Sequence, residues 1–234
     1  MRKEFFQSEF RLAATDYYAL LNKGYPEKRT RLLVADRYQL NTAQRTVLYR
    51  GVFPEKVNRH RIEKMLTAAE ATRKNLVIDF LNQSYLLMNY LYGRNLFIAT
   101  DGILRDDGEN YGEFSSASIF ARVLELIKAA LIELEPSGVE LVVDRPQLPL
   151  EFAILQDATA LSETFMAVPA AVKVLLSATA DKYLQNTTSS VLISADSRIV
   201  DRCGSNTFDL AYYILKHRFE AVFPDLKSLI EDRG

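Results

Sequence analysis

The sequence predicts an α/β domain with a mostly parallel sheet sandwiched by helices, over residues 75–234, preceded by a basic all-helical module over residues 1–74. Three observations predict it. Before Lys74, apolar residues recur at spacings of three and four, the period of a helix with one buried face. After it, short runs rich in Val, Ile, Leu and Phe alternate with helical patterns, and strand-helix alternation is the mark of a parallel sheet. Those runs also lack polar alternation, as strands covered on both faces do.

In the first module, Phe5, Phe6, Phe10, Leu12, Ala13, Tyr17, Leu20 and Leu21 mark a helix, and NKGYP at 22–26 supplies a Gly stop followed by Pro. A second helix is expected over 28–37, with Leu32, Leu33 and Val34 as its apolar part. A third follows an Asn41/Thr42 cap and runs to Gly51, and a longer one over 55–73 carries Val57, Ile62, Met65, Leu66 and Ala69. Strands are then expected at 75–80, 95–100, 139–144, 170–176 and 190–194. Helices fall near 82–92, 115–135, 149–160, 178–185 and 207–219.

Composition narrows the class. A chain of 234 residues with 48% hydrophobic content can bury a substantial core. Its apolar stretches fall far short of the roughly 18 residues of a membrane span, and MRKEFFQSEF lacks the unbroken apolar run of a signal peptide. With Cys203 the sole cysteine, no internal disulfide can form, which fits a reducing cytoplasm. Two histidines, His60 and His217, leave no Cys/His cluster for a structural zinc. The net charge of −1 averages two unequal parts: residues 1–74 carry 16 Lys and Arg against 8 Asp and Glu, the remainder 13 against 22. Such a pairing suits a protein that grips a polyanion with one part and cations with the other; mutual attraction of the two parts accounts for it as well.

Ligands of open parallel sheets bind outside the carboxyl ends of the strands, so acids there test for a site. The first strand ends in Asp79, with Asn82 three residues on; the second runs into Asp101, Asp106 and Asp107; the third ends in Asp144. The fifth ends at Ser194 and continues into Asp196 and Asp201, whereas the fourth has no acid until Asp181. Carboxylates crowded at one edge repel unless a cation neutralises them, and Mg²⁺ and Mn²⁺ prefer such oxygen ligands. Singly, each acid also has a structural explanation: Asp144 and Asp196 as helix caps, Asp101-Gly102 as a turn, Asp106 to Gly108 as a solvated loop. Asp79 is hardest to explain that way, because it closes an apolar strand and is followed at once by Phe80 and Leu81.

IDFLN, with Asp79 and Asn82 as Asp-x-x-Asn, is similar to the opening motif of PIN/NYN-like nuclease domains, and SADSRIVD resembles their late strand-end motif. GYPEKRTRLLVADRYQLNTAQRTVLYRGV (24–52) resembles the helical module known as domain of unknown function 434, which occurs joined to such a domain. The likeness spans about residues 10–220 by eye. It implies a Rossmann-like, PIN-like sandwich with a Mg²⁺- or Mn²⁺-dependent ribonuclease site. On that pattern Asp79, Asp144 and Asp196 hold the metal, Asn82 orients Asp79 or contacts substrate, and Asp101, Asp106 and Asp201 are further ligands. Ser194 would bond a ligand carboxylate or a phosphate. Phe80 stands where such domains have Gly, and Leu81 where they have Tyr or a similar residue.

Arg105, Arg145, Arg198 and Arg202 adjoin these acids and would either steady a scissile phosphate or pair with the carboxylates. Basic and aromatic residues interleave in the first module, among them Arg31, Arg37, Tyr38, Arg45, Tyr49, Arg50 and Arg61. Arg37 and Arg50 are candidate phosphate contacts and the tyrosines candidate stacking partners, although a solvated helix face gives the same pattern. The resulting expectation is a metal-dependent phosphodiesterase acting on RNA, with no membrane partner. Its helical module would grip RNA, a protein partner or a second copy. A non-catalytic RNA- or protein-binding module is the alternative. A nucleotide enzyme is disfavoured, since neither G-x-G-x-x-G nor G-x-x-x-x-G-K-[ST] occurs.

Overall fold

A computed structural model of the chain describes residues 8–108, 116–145 and 153–231. In chain order, α1 (Ser8–Asn22), α2 (Glu27–Arg37), α3 (Thr42–Gly51), α4 (Glu55–Lys64) and α5 (Ala68–Ala71) precede β1 (Asn75–Asp79) and α6 (Phe80–Leu91). Next come β2 (Leu96–Ile98), β3 (Leu104–Asp106), α7 (Ala117–Leu134) and β4 (Gly138–Asp144). A 3-10 turn (Ala153–Gln156), α8 (Ala158–Thr164), β5 (Val172–Ser177), α9 (Ala180–Gln185) and β6 (Val191–Ile193) follow. The described chain closes with α10 (Ser197–Arg202), α11 (Leu210–Phe219) and α12 (Leu226–Glu231).

Two compact units emerge, and they interleave along the chain. The first takes the described residues of Met1–Glu63, Tyr92–Tyr111 and Val222–Gly234, and the second those of Lys64–Leu91 and Gly112–Ala221. In the first, Phe10, Ala13, Tyr17, Val34, Val47 and Leu48 form a core together with Phe97, Ala99, Leu226 and Ile230. The Asn41 cap is realised as a reciprocal box: Gln44 N–H donates to the Asn41 side chain while the Gln44 side chain accepts from the Asn41 N–H. Gly24 adopts φ +82° after α1, the left-handed stop that the NKGYP stretch implies. α3 ends at Gly51, as expected, and a Cβ there would collide with Leu226 and Phe97. Close packing fixes that glycine.

The expected strand at 95–100 does not join the parallel sheet. β2 pairs antiparallel with β3 in the first unit, Phe97 opposite Arg105, through a turn that holds Gly102 at φ +82°. Five residues separate β2 from β3, enough for a hairpin but too few for the crossover that a parallel neighbour needs. β2 is engaged elsewhere too, since Ile98 N–H donates to Pro224 O at 2.8 Å. The single helix expected over 55–73 is broken into α4 and α5. Leu66 N–H bonds Thr207 O, Met65 bridges Thr207, and Thr67 opens α5 with its own capping box on Glu70. Those bonds replace helical ones across 65–67.

The second unit holds the parallel sheet. Its four strands run in the order β5-β4-β1-β6, all parallel. β1 is central, with Ile78 beside Leu141 on one side and Ile193 on the other. Val77, Val142 and Leu192 face α9 and α10, packing on Ala180, Leu184, Ile199 and Cys203. α6 packs on β1 and β4 and is backed by α7 and α11. Helices thus cover both faces, as the unbroken apolar strand runs imply. The expected helix near 149–160 begins outside the described residues and is present from 153 as the 3-10 turn and α8. Phe5 and Phe6 also lie outside them. Among the described residues, no helix is long and apolar enough to cross a membrane.

Candidate functional site

Neighbouring parallel strands deliver their ends to the same edge. β1 and β6 are aligned through Ile78 and Ile193, so the next residues, Asp79 and Ser194, come side by side. Ser194 Oγ donates to Asp79 Oδ2 at 2.7 Å. The same oxygen accepts from the Asp196 N–H at 3.1 Å. Ser194 is buried, so its hydroxyl serves these two groups rather than solvent.

The turn from β1 to α6 has no spare residue: β1 ends at Asp79 and α6 begins at Phe80. Phe80 is fully buried and meets the Phe165 ring edge-on, with centroids 6.2 Å apart. That anchors the backbone beneath Asp79 with a bulky group. Asn82, in the first turn of α6, accepts from the Ala195 N–H at 2.9 Å and from Gln83 Nε2 at 3.0 Å. It therefore ties the loop after β6 to the helix after β1, and so holds Ser194 against Asp79.

Asp79 is raised from the usual 3.8 to about 7. Burial is the largest cause; the Ser194 hydroxyl pulls the other way; the Asp196 carboxylate pushes up again; the Asn82 N–H and Asp181 follow with smaller, opposed effects. Asp196 itself caps α10, its Oδ1 accepting from the Arg198 N–H at 2.7 Å, with 31% of its side chain exposed. It is at once a cap, the partner of the Arg198 guanidinium at 3.9 Å, and the like charge that acts more strongly on Asp79. Strand-end reasoning passes over Asp181, in the first turn of α9, because three residues separate it from Ser177, the end of β5. Counting the first turn of each following helix as part of the edge would have found it.

The other expected site residues spread out. Asp144 ends β4 beside Ser177 of β5, two residues beyond Val142, the partner of Asp79. Arg145 is exposed just after it, Arg198 is exposed on α10, and Asp201 is exposed further along α10. Asp101, Asp106 and Arg105 belong to the first unit and are committed there. Asp101 is fully buried, with Oδ1 and Oδ2 at 2.7 and 2.8 Å from the Arg105 guanidinium and Oδ2 at 2.7 Å from Arg61. Burial alone would raise its pKa, but Arg105 and then Arg61 outweigh burial and hold the carboxyl below its usual range. Asp106 is buried and paired with Arg50 at 3.2 Å. These acids are neutralised by arginine and offer no cation site, and Arg105, 2% exposed, is not presented to a phosphate. Arg37 is exposed, its guanidinium 5.6 Å from the Tyr38 ring. Among the described residues, no group of three or more His, Cys, Asp or Glu is arranged to hold a metal ion. The acids around Asp79 supply a carboxylate pair and a hydroxyl, all oxygen donors.

Residues 9–64 match the family described as Protein of unknown function (DUF434), in agreement with the resemblance of the amino-terminal module. Residues 68–213 match the family described as Domain of unknown function (DUF5616), and the chain belongs to that family. No curated protein and no solved structure matches the chain.

Proposed function

We propose that the chain is a divalent-cation-dependent phosphodiesterase acting on RNA, with its reaction centre at the carboxyl edge of β1 and β6 on a Rossmann-like, PIN-like sandwich. One observation carries this reading: Asp79, driven up to about 7 by burial and by the Asp196 and Asp181 carboxylates, with no arginine among the groups that act on it. A carboxylate so placed is relieved by a cation. Mg²⁺ needs only one or two protein carboxylates when it keeps several waters and takes further oxygens from a substrate phosphate. Asp79 and Asp196 fit that donor set. Bound there, such an ion would activate water and offset charge on a phosphate.

The chain's own groups divide the remaining work. Ser194 orients Asp79, and Asn82 fixes the loop that carries Ser194. Asp144 and Asp181 supply outer negative charge for a second or hydrated ion, with Asp201 more remote on α10. Arg145 and Arg198, both exposed, suit phosphate contact beside the acids. Cys203, buried and free, fits a reducing cytoplasm. The exposed Leu33 of α2 suits a protein partner or a second copy.

A second reading, a non-catalytic RNA- or protein-binding member, draws on the missing three-acid group among the described residues. Manganese titration by calorimetry, alongside cleavage of labelled single-stranded RNA, separates the two. Uptake and cutting that both disappear in Asp79→Asn support the hydrolase. A wild-type protein that takes up no Mn²⁺ and cuts nothing sinks it in favour of the binding module.

A further inference from the structure

The helical module carries a second feature that the sheet edge does not use. On α2, Lys28, Arg31, Leu32 and Ala35 follow at spacings of three, one and three; on α3, Thr42, Thr46 and Tyr49 follow at four and three. Residues so spaced share a helix face. The two faces meet in a cleft of about 260 Å³ lined by Arg31, Leu32, Ala35, Thr42, Thr46 and Tyr49. That is smaller than the roughly 300–1,000 Å³ of pockets for drug-sized ligands, so it suits one planar group rather than a whole cofactor.

Its composition is specific. The Arg31 guanidinium lies 4.2 Å from the centroid of the Tyr49 ring. Tyr49 is 44% exposed and Leu32 50% exposed, so a stacked cation-aromatic pair and an apolar wall both reach solvent. Arg45, also in the lining, is spent on structure: it donates to the Leu40 and Ala35 carbonyls and pairs with Asp36 at 2.6 Å. It braces α3 against α2 and holds the cleft open. No lining residue is a carboxylate, and Lys28 and Arg29 stand exposed on the preceding turn of α2.

We infer that this cleft seats an unpaired base of a single-stranded nucleic acid. The base stacks on the Arg31–Tyr49 pair against Leu32, its edge meets the Thr42 hydroxyl and donates to Thr46 Oγ1, whose own proton goes to the Thr42 carbonyl at 3.1 Å, and the flanking phosphates meet Lys28 and Arg29. Base faces stack on aromatic rings and on guanidinium planes, and cations beside them hold the backbone. A duplex offers no free base face, so the site selects single strands. The inference rests on the proposed hydrolase only for the class of ligand; its residues belong to the other compact unit.

Fluorescence anisotropy of a labelled oligouridylate tests it, with the whole 234-residue chain in EDTA so that no cutting occurs. Wild type binds the single strand and leaves the matching duplex largely free. Tyr49→Ala weakens binding about five- to 150-fold, the range for loss of one stacked base, while Tyr49→Phe retains it. Arg31→Lys, which keeps the charge but loses the plane, weakens binding at unchanged fold and melting temperature. Equal binding by Tyr49→Ala and wild type, equal binding of duplex and single strand, or no wild-type binding overturns the inference. Binding that depends on Tyr49 in a protein that cuts nothing with Mn²⁺ defeats the hydrolase and leaves the base site standing. Cutting with a KM indifferent to Tyr49→Ala does the reverse.

Discussion

Asp79 and Asp101 both end short apolar strands in sequence, yet Asp101 is fully buried among cations whereas Asp79 is half-buried at the sheet edge among like charges. Asp101 sits between two guanidiniums, themselves stacked on Phe53 at 4.1 Å for Arg61 and 5.0 Å for Arg105, and is held charged. Asp79 faces a hydroxyl and two more carboxylates and is pushed up to about 7. A buried acid matched by cations is stabilising architecture. One pressed against like charge is held there at a cost in stability, and carboxylates so perturbed cluster at functional sites.

The largest effect should come from the matched acid. Asp101→Asn leaves Arg61 and Arg105 buried beside a neutral amide and should lower stability by about 3 to 5 kcal/mol in urea unfolding. A loss well under 1 kcal/mol would mean that the network is not holding the first unit together. Asp79→Asn should act the other way, abolishing Mn²⁺-dependent RNA cutting by at least about 100-fold while making the protein more stable at alkaline pH.

The sign follows from linkage. Between 3.8 and about 7 the folded chain holds a proton on Asp79 that the unfolded chain has released, so wild-type stability falls as pH rises through that window. Asp79→Asn removes the fall. Thermal melts should show it gaining about 1 to 3 kcal/mol over wild type at pH 8 and little at pH 4. A variant equally destabilised at both would place Asp79 with Asp101 as architecture.

Smaller changes sharpen the contrast. Ser194→Ala removes the donor to Asp79 and the acceptor for the Asp196 N–H, costing about 1 kcal/mol. It should also move the Asp79 titration, followed by carboxyl NMR, to higher pH, since the hydroxyl favours the charged form. Asp181→Asn should move that titration down by less than Asp196→Asn does, because Asp196 is the stronger of the two like charges. The reverse order would make Asp181 the nearer wall of the site.

Much of this was legible beforehand. Unbroken runs such as NLVID and GVELVVD announced strands covered on both faces, and period-two pairing in parallel register then fixed Ser194 beside Asp79. Asn41, Thr67 and Gly24 declared their helix ends through local chemistry alone. The fate of LFIAT was not legible. Its apolar pattern is that of a sheet strand, and only the hairpin to Leu104–Asp106 and the bond to Pro224 draw it into the first unit. Asp101 and Arg105 could not be told from site residues for the same reason, since Arg61, which shares Asp101 with Arg105, lies 40 residues away in sequence.

The sequence by itself determined the four strands of the parallel sheet, the helices whose caps and stops it spells out, and that Asp79 and Ser194 reach the sheet's carboxyl edge. These follow from periodicity, capping and strand alternation, which act over a few residues. Tertiary structure decided which acids meet cations and which meet one another. A carboxylate's charge state depends on groups brought within a few ångströms from anywhere in the chain, and no local pattern records that.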